Sequence, residues 1–134
     1  MPNGFYGSKH DWDRMEAPFL RMDAALDSFS RLHNLTKRAN SHNWPERSLI
    51  WSSGGIERLI QIYLEDEKIL TANFWICASE DRGPERFWKQ QLLKKAVPIG
   101  EIERDLTKLL PYAKETLDTW SGSDLEFATK LKGK

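Results

Sequence analysis

The stretch that decides the fold runs from Ile56 to Glu80 and reads IERLIQIYLEDEKILTANFWICASE. Alternate side chains of a β-strand point to opposite faces of a sheet. Read in this way, the stretch forms two neighbouring strands that each have one apolar face. The positions on that face are Ile56, Ile60, Ile62 and Leu64 in the first strand, and Leu70, Ala72, Phe74, Ile76 and Ala78 in the second.

The connection between these strands must keep both apolar sets on the same side of the sheet. An antiparallel pair does so when even positions face even positions, which requires a loop with an odd number of residues. The segment around Asp66 contains no Gly or Asn, which a three-residue loop usually needs. We therefore expect a five-residue loop from Glu65 to Ile69.

The opposite face of the strand pair mixes large apolar side chains with polar ones. Such a mixture is typical of a surface that meets a partner, or of one that a loop of the same chain crosses. The N-terminal segment of the chain is a candidate for that cover, and a separate protein is the other candidate. The positions on this face are Glu57, Leu59, Gln61, Tyr63 and Glu65, then Ile69, Thr71, Asn73, Trp75 and Cys77.

A third strand precedes this pair. Residues 48–52 are mainly apolar and are followed by Gly54-Gly55, a dipeptide that suits a two-residue hairpin turn. In this register Arg58 lies beside the Trp51 ring, where stacking is worth on the order of 1 kcal/mol. The turn predicts three cross-strand pairs, which are Ser53 with Ile56, Trp51 with Arg58, and Leu49 with Ile60.

Apolar residues from Trp12 to Leu32 recur at spacings of three and four, which predicts a long N-terminal helix. Because Pro18 lies within this run, we expect the main helix from about Ala17 to Lys37, with Pro in its first turn. Ser8 and Asp11 form a helix-start pair if an earlier turn is also helical.

A second helix is predicted after Gly100, from another stripe at spacings of three and four. Pro111 falls inside it and should bend or divide it. Ser123 can begin a final short turn. The stripe consists of Ile102, Leu106, Leu109, Ala113, Leu117 and Trp120.

Two segments connect these elements. Residues 38–47, RANSHNWPER, are polar and contain a Trp-Pro step, which favours a loop. Residues 85–96, ERFWKQQLLKKA, fit either a strand that closes the antiparallel meander or a short helix. We favour the strand, because Phe87 and Trp88 are typical strand residues.

Composition excludes several classes of protein. The chain has 134 residues, 40% of them hydrophobic, so we expect a single domain over 1–134 with loosely ordered ends at 1–10 and 130–134. Its 20 acidic and 20 basic residues balance, which disfavours nucleic acid and an anionic membrane as partners. No apolar stretch approaches the roughly 20 residues that cross a bilayer. The single cysteine, Cys77, predicts a cytoplasmic location.

No motif in the chain points to catalysis, a metal or a cofactor. His10, Asp11 and Asp13 are neighbours in the sequence, but they match no zinc or calcium spacing. Cys77 lies in mid-strand, away from the helix N-terminus that activates many nucleophilic thiols. Gly54-Gly55 leads into a strand and not a helix, which disfavours a phosphate-binding loop. We therefore expect no metal and no cofactor, and we favour a protein without enzymatic activity.

These patterns predict an α+β fold. It consists of an antiparallel meander of three or four strands, with a long N-terminal helix and a C-terminal helix packed on one face. Our leading functional hypothesis is a protein-binding domain that uses the other face, as small toxin-neutralising (immunity) proteins do by analogy of architecture alone. The partner is a separate protein or a second copy in a homodimer. The predicted contact residues are Ile50, Leu59, Tyr63 and Trp75, flanked by Glu57, Gln61 and Asn73.

The alternative hypothesis belongs to another class of function. A small ligand-binding domain or enzyme could hold its ligand between sheet and helices, with Arg58 binding an anion and Trp51 stacking at the mouth of the cavity. An arginine that points toward an apolar layer motivates this alternative, because a buried cation needs a partner.

Overall fold

The structure, a computed structural model, describes residues 7–40, 44–53, 56–66, 70–82, 85–92 and 97–119. It confirms the α+β fold, with an antiparallel meander of five strands in the order β1-β2-β3-β4-β5 and a short sixth strand on β4. The elements are α1 (Lys9–His33), β1 (Thr36–Ala39), β2 (Glu46–Ser53), β3 (Ile56–Asp66), β4 (Thr71–Arg82), β5 (Glu85–Leu92), β6 (Val97–Pro98) and α2 (Ile99–Asp118).

Helix α1 begins earlier than the sequence predicts. The Ser8 hydroxyl accepts the Asp11 N–H at 3.1 Å, and the Asp11 carboxylate accepts the Ser8 N–H at 3.1 Å, so a complete capping box starts the helix. The expected start near Ala17 is therefore wrong, because a helix can continue through Pro18 when only one backbone hydrogen bond is lost. The expected end at Lys37 is also wrong, since Asn34 adopts a left-handed conformation (φ 57°) and terminates the helix.

The β2–β3 hairpin has the predicted register. Ser53 pairs with Ile56, Trp51 with Arg58, and Leu49 with Ile60. A two-residue connection between Ser53 and Ile56 fits this ladder, because it puts their apolar positions on one face. Strand β2 is longer than expected and begins at Glu46.

The β3–β4 pair also keeps even positions opposite even positions, from Ile56 opposite Glu80 to Leu64 opposite Ala72. The parity arises differently from the prediction. The ladder continues to Asp66 opposite Thr71, and a β-bulge between Leu64 and Asp66 supplies the extra residue. The extra residue that sets the parity therefore lies in the bulge of β3, and not in the five-residue loop that we expected from Glu65 to Ile69. Leu70, with φ 52°, leads into β4.

Two further segments that the sequence left open or assigned to a loop form strands. Residues 85–92 form a strand paired with β4, as favoured. Residues 36–39 form β1, which pairs with β2 where we expected the end of a helix and a loop. Such a short strand gives too few alternating positions to be recognised from sequence.

Helix α2 is continuous from Ile99 to Asp118 and contains Pro111, so it is not divided. Its first N–H, from Ile99, donates to the Leu70 carbonyl at 2.8 Å and ties the helix to the start of β4. The buried stripe matches the prediction except that Leu110, rather than Leu109, is fully buried. Trp120 and the predicted turn at Ser123 lie outside the described residues.

Both helices pack on the same face of the sheet. Phe19, Met22 and Leu26 from α1 meet Ile102, Leu106 and Leu110 from α2 in one apolar cluster. The sheet contributes Leu49, Ile60, Ile62 and Ala72 to this cluster. Neither α1 nor α2 has a stretch that is long and apolar enough to cross a membrane.

Candidate functional site

The predicted contact residues lie together on the sheet face away from the helices. Ile50 pairs with Leu59, and Tyr63 pairs with Asn73, so these four positions alternate with those that enter the apolar cluster. Gln61 pairs with Trp75 and Glu57 with Ser79 in the backbone ladder. The side chain of Trp75 lies outside the described part of the structure. We call this surface the open face, meaning the face that α1 and α2 do not cover.

The centre of the open face is more buried than expected of a contact surface. Leu59, Gln61 and Asn73 are 9%, 8% and 6% exposed, whereas Ile50, Glu57 and Tyr63 are half-buried. We expected the N-terminal segment to be a candidate cover for this face, and its residues 1–6 lie outside the described range. Among the contact residues whose side chains are described, the accessible ones are therefore Ile50, Glu57 and Tyr63, with exposed Glu65 beside them.

Two polar networks hold the side chains of the open face in place. The Gln61 amide nitrogen donates to the Glu46 carboxylate at 2.6 Å and to the Ser48 hydroxyl at 3.1 Å. The Asn73 amide nitrogen donates to the Tyr63 hydroxyl at 3.1 Å and to the Glu65 carboxylate. Buried amides need such partners, because an unsatisfied group costs about 1–3 kcal/mol.

Sequence reasoning missed Glu46 and Ser48, which lie on the open face at 2% and 4% exposure. Glu46 fell in the segment 38–47 that was assigned to a loop, whereas Ser48 was placed in the predicted strand but was not named as a site residue. The only available signal was that they continue the alternation of Ile50 backwards along the chain.

The alternative site residues, Arg58 and Trp51, contact the C-terminal end of α2. Arg58 is 4% exposed, and its Nε donates to the Leu117 carbonyl at 2.9 Å, which supplies the partner that a buried guanidinium needs. Burial lowers the pKa of Arg58, and the charge of Asp118 opposes this shift. These contacts attach α2 to the sheet, while a ligand role for the pair stays a prediction.

Trp51 is fixed to the same end of α2. Its indole N–H donates to the Asp118 carboxylate at 2.8 Å, and Lys114 also contacts that carboxylate. The Lys114 ammonium lies 5.6 Å from the centre of the Trp51 ring, so a cation from the helix stacks on the ring.

A buried charged network lies between α1, β1 and β2, and sequence reasoning missed it. Arg47 is 3% exposed and binds Asp23 through two parallel hydrogen bonds, Nε–Oδ1 at 2.7 Å and Nη2–Oδ2 at 3.1 Å. Its Nη1 donates to the Asn40 side chain and to the Glu46 carbonyl. The guanidinium also lies 5.3 Å from the centre of the Phe19 ring.

Two neighbours extend this network across the surface. The Lys37 ammonium lies 2.8 Å from Asp23 and 2.7 Å from Asp27. Burial raises the pKa of Asp23, but hydrogen bonds from Arg47 and Lys37 outweigh it, so the pKa lies below the ordinary 3.8. Burial lowers the pKa of Lys37, yet its two carboxylate partners hold the pKa above 10.5.

Two of the residues considered as metal ligands, Asp11 and Asp13, make contacts that stabilise the start of α1. Asp11 caps α1, and Asp13 pairs with Lys9 at 2.8 Å. Among the described residues, no group of three or more His, Cys, Asp or Glu side chains is placed to hold a metal ion. The contacts of Asp11 and Asp13 are those of a helix terminus.

Comparison with known proteins assigns no family, because no family model, no curated protein and no solved structure matches the chain. The function must therefore be argued from the residues and their geometry.

Proposed function

We propose that this protein is a cytoplasmic, non-enzymatic protein-binding domain that contacts its partner with the open face. The observation that carries the proposal is that α1 and α2 pack on one side of the sheet, whereas Ile50, Leu59 and Tyr63 lie on the other. A sheet face with apolar groups between hydrogen-bonding ones resembles the composition of protein interfaces.

The geometry of Tyr63 supports a role as an anchor. Aromatic residues are enriched among the few side chains that carry most of the binding energy in an interface. The Tyr63 hydroxyl accepts a hydrogen bond from Asn73, so the ring is held before a partner arrives. Preorganised side chains cost less conformational entropy on binding, which favours affinity.

Carboxylates at the rim would set the orientation of the partner. Glu57 is half-buried and Glu65 is exposed, and the Glu65 carboxylate accepts from the same Asn73 amide that contacts Tyr63. Rim charges act mainly on association rate and specificity, while the central apolar groups act on the lifetime of the complex.

The test compares three variants in affinity capture from cell extract, followed by calorimetry with the captured partner. Tyr63→Ala removes the ring and should weaken binding at least tenfold, the size expected for an anchor. Tyr63→Phe keeps the ring and should bind nearly as well as the wild type. Leu20→Ala, on the exposed side of α1, is the matched control and should leave affinity unchanged.

One outcome would count against this function, and a second would identify the partner. If Tyr63→Ala and the wild type bind with equal affinity, and both are folded by circular dichroism, the open face is not the binding surface. A mass near twice the 15.6 kDa of the chain in light scattering, reduced by Tyr63→Ala, would make a second copy the partner instead of another protein.

A further inference from the structure

Strand β1 forms one edge of the sheet, and among the described strands it pairs only with β2. In an antiparallel ladder, alternate residues turn their N–H and C=O groups toward the neighbouring strand. The Asn40 N–H donates to the Glu46 carbonyl at 3.1 Å, so the pair Asn40 and Glu46 is a hydrogen-bonded one. Arg38 and Thr36 are two and four positions before Asn40, so their backbone N–H and C=O groups also point toward β2.

The intervening residues, Lys37 and Ala39, therefore direct their backbone groups away from the sheet. Each presents one N–H and one C=O along the outer edge of β1, and within the described residues no backbone hydrogen bond reaches them. Such an edge can accept an added strand from another polypeptide. Thr36, Arg38 and Ala39 are exposed, so the edge is accessible.

The charges along this edge favour an acidic segment. Arg38 and Arg31 are exposed, and within the described part of the chain neither has an ion-pair partner. Lys37 is already neutralised by Asp23 and Asp27. Among the described residues the two arginines therefore have no salt-bridge partner; Arg38 lies on β1, and Arg31 lines a depression beside the start of β1.

The surface next to the start of β1 has room for a side chain. An open depression of about 420 Å³ lies between the last turn of α1 and β1. Arg31 and Leu35 line it, so it offers one cationic and one apolar contact. Its remaining lining residues are Asp27, Ser30, Asn34 and Lys37.

We propose that the outer edge of β1 binds an extended acidic segment of another protein as an additional strand. The segment forms backbone hydrogen bonds with Lys37 and Ala39, and its carboxylates lie beside Arg38 and Arg31. A second copy of this chain fits less well, because pairing Lys37 of one copy with Ala39 of the other would place the two Arg38 residues opposite each other. The Arg38 side chain lies on the open face, opposite Ser48, whereas the outward backbone groups of Lys37 and Ala39 lie at the edge of the sheet. The inference concerns that edge and does not depend on the proposed function.

The probe is a fluorescein-labelled hexapeptide of alternating glutamate and valine, titrated with the full chain by fluorescence anisotropy. We expect saturable binding that weakens with added salt, and shifts of the Lys37 and Ala39 amide signals in NMR spectra. The same peptide with lysine in place of glutamate should bind at least tenfold more weakly.

Two variants separate backbone pairing from charge. Ala39→Pro removes an outward N–H and leaves the ladder to β2 intact, because proline is tolerated on an edge strand where the N–H faces outward. Arg38→Glu reverses the charge. Each should reduce affinity at least tenfold, while Lys108→Glu, on the exposed side of α2, should not change it.

A basic edge strand is also a protection against aggregation, and the experiment distinguishes this reading. Absence of binding at millimolar peptide would leave protection as the role of Lys37 and Arg38 and overturn the proposal. Equal binding of the glutamate and lysine peptides would overturn the proposal that the bound segment is acidic. A concentration-dependent dimer that Ala39→Pro abolishes would show that a second copy of the chain, and not another protein, binds the edge.

Discussion

Arg47 is 3% exposed, yet its guanidinium is satisfied by a bidentate carboxylate, a side-chain amide and a backbone carbonyl. A buried charge with this many partners is tolerated in a protein, whereas the same charge without them costs several kcal/mol. At the scale of single residues, the network around Arg47 is therefore a point where we expect the fold to be sensitive to substitution.

We expect Arg47→Met to destabilise the protein by about 1–3 kcal/mol, because it removes charged hydrogen bonds to Asp23, which keeps its contact with Lys37. The measurement is the free energy of unfolding in urea. Arg21→Met is the control, since Arg21 pairs with Glu103 at 2.7 Å on an exposed surface and should contribute little. Equal destabilisation by both variants would contradict the importance of burial.

The sequence did not reveal this network, because its members are distant along the chain. Asp23 is 24 positions from Arg47, and Asn40 is 7 positions away across a connection that was assigned to a loop. By contrast, Leu59, Gln61, Tyr63 and Asn73 could be grouped correctly, since strict alternation within two adjacent strands places them on one face. Local periodicity is readable in a sequence, whereas contacts between elements are not.

At the scale of elements, turn chemistry and parity predicted most of the sheet. The Gly54-Gly55 dipeptide fixed the β2–β3 register, and the apolar positions of β3 and β4 fixed theirs. The bulge near Glu65 was not predicted, because a bulge and an odd loop give the same parity. The start of α1 was misplaced because a mid-helix proline reads as a boundary, although Ser8 and Asp11 gave the correct signal.

Pro111 gives a test of helix α2. Helix α2 continues through Pro111, whose side chain is exposed. The proline therefore removes one backbone hydrogen bond of the helix, and its side chain gains no packing in the core in return. We expect Pro111→Ala to stabilise the protein by about 2 kcal/mol, after allowing for the greater freedom of the unfolded chain. Thermal unfolding measures the change.

Pro18→Ala is the matched comparison within α1. Pro18 is buried, so its replacement gains a hydrogen bond but loses packing in the core. The gain in melting temperature should therefore be smaller than for Pro111→Ala. A lower melting temperature for Pro111→Ala would show that the proline stabilises α2.

At the scale of the whole molecule, stability should fall in acid. The pKa of Asp23 is below its ordinary value of 3.8, so the unfolded chain takes up a proton at this carboxyl before the folded protein does. The stabilising contribution of Asp23 is therefore present above about pH 4 and is lost as the pH falls through its folded pKa. Urea unfolding at pH 7, 4 and 3 measures this loss, and we expect the midpoint concentration of urea to decrease in that order.

Asp23→Asn isolates that contribution. The variant should be less stable than the wild type at pH 7, and the difference between them should shrink toward pH 3. A difference that stays constant over this range would mean that the charge of Asp23 does not stabilise the fold. Lys37→Met provides a second comparison, since it removes a cation that contacts Asp23.

Helix α1 is the first described element to leave the ribosome, yet its packing surface is completed only by β2, β3 and α2. Synthesis at roughly 5–20 residues per second makes that interval several seconds long. Phe19, Met22 and Leu26 must stay in contact with solvent, the ribosome or a chaperone for all of it. The nascent chain is therefore most vulnerable to aggregation before α2 has been translated.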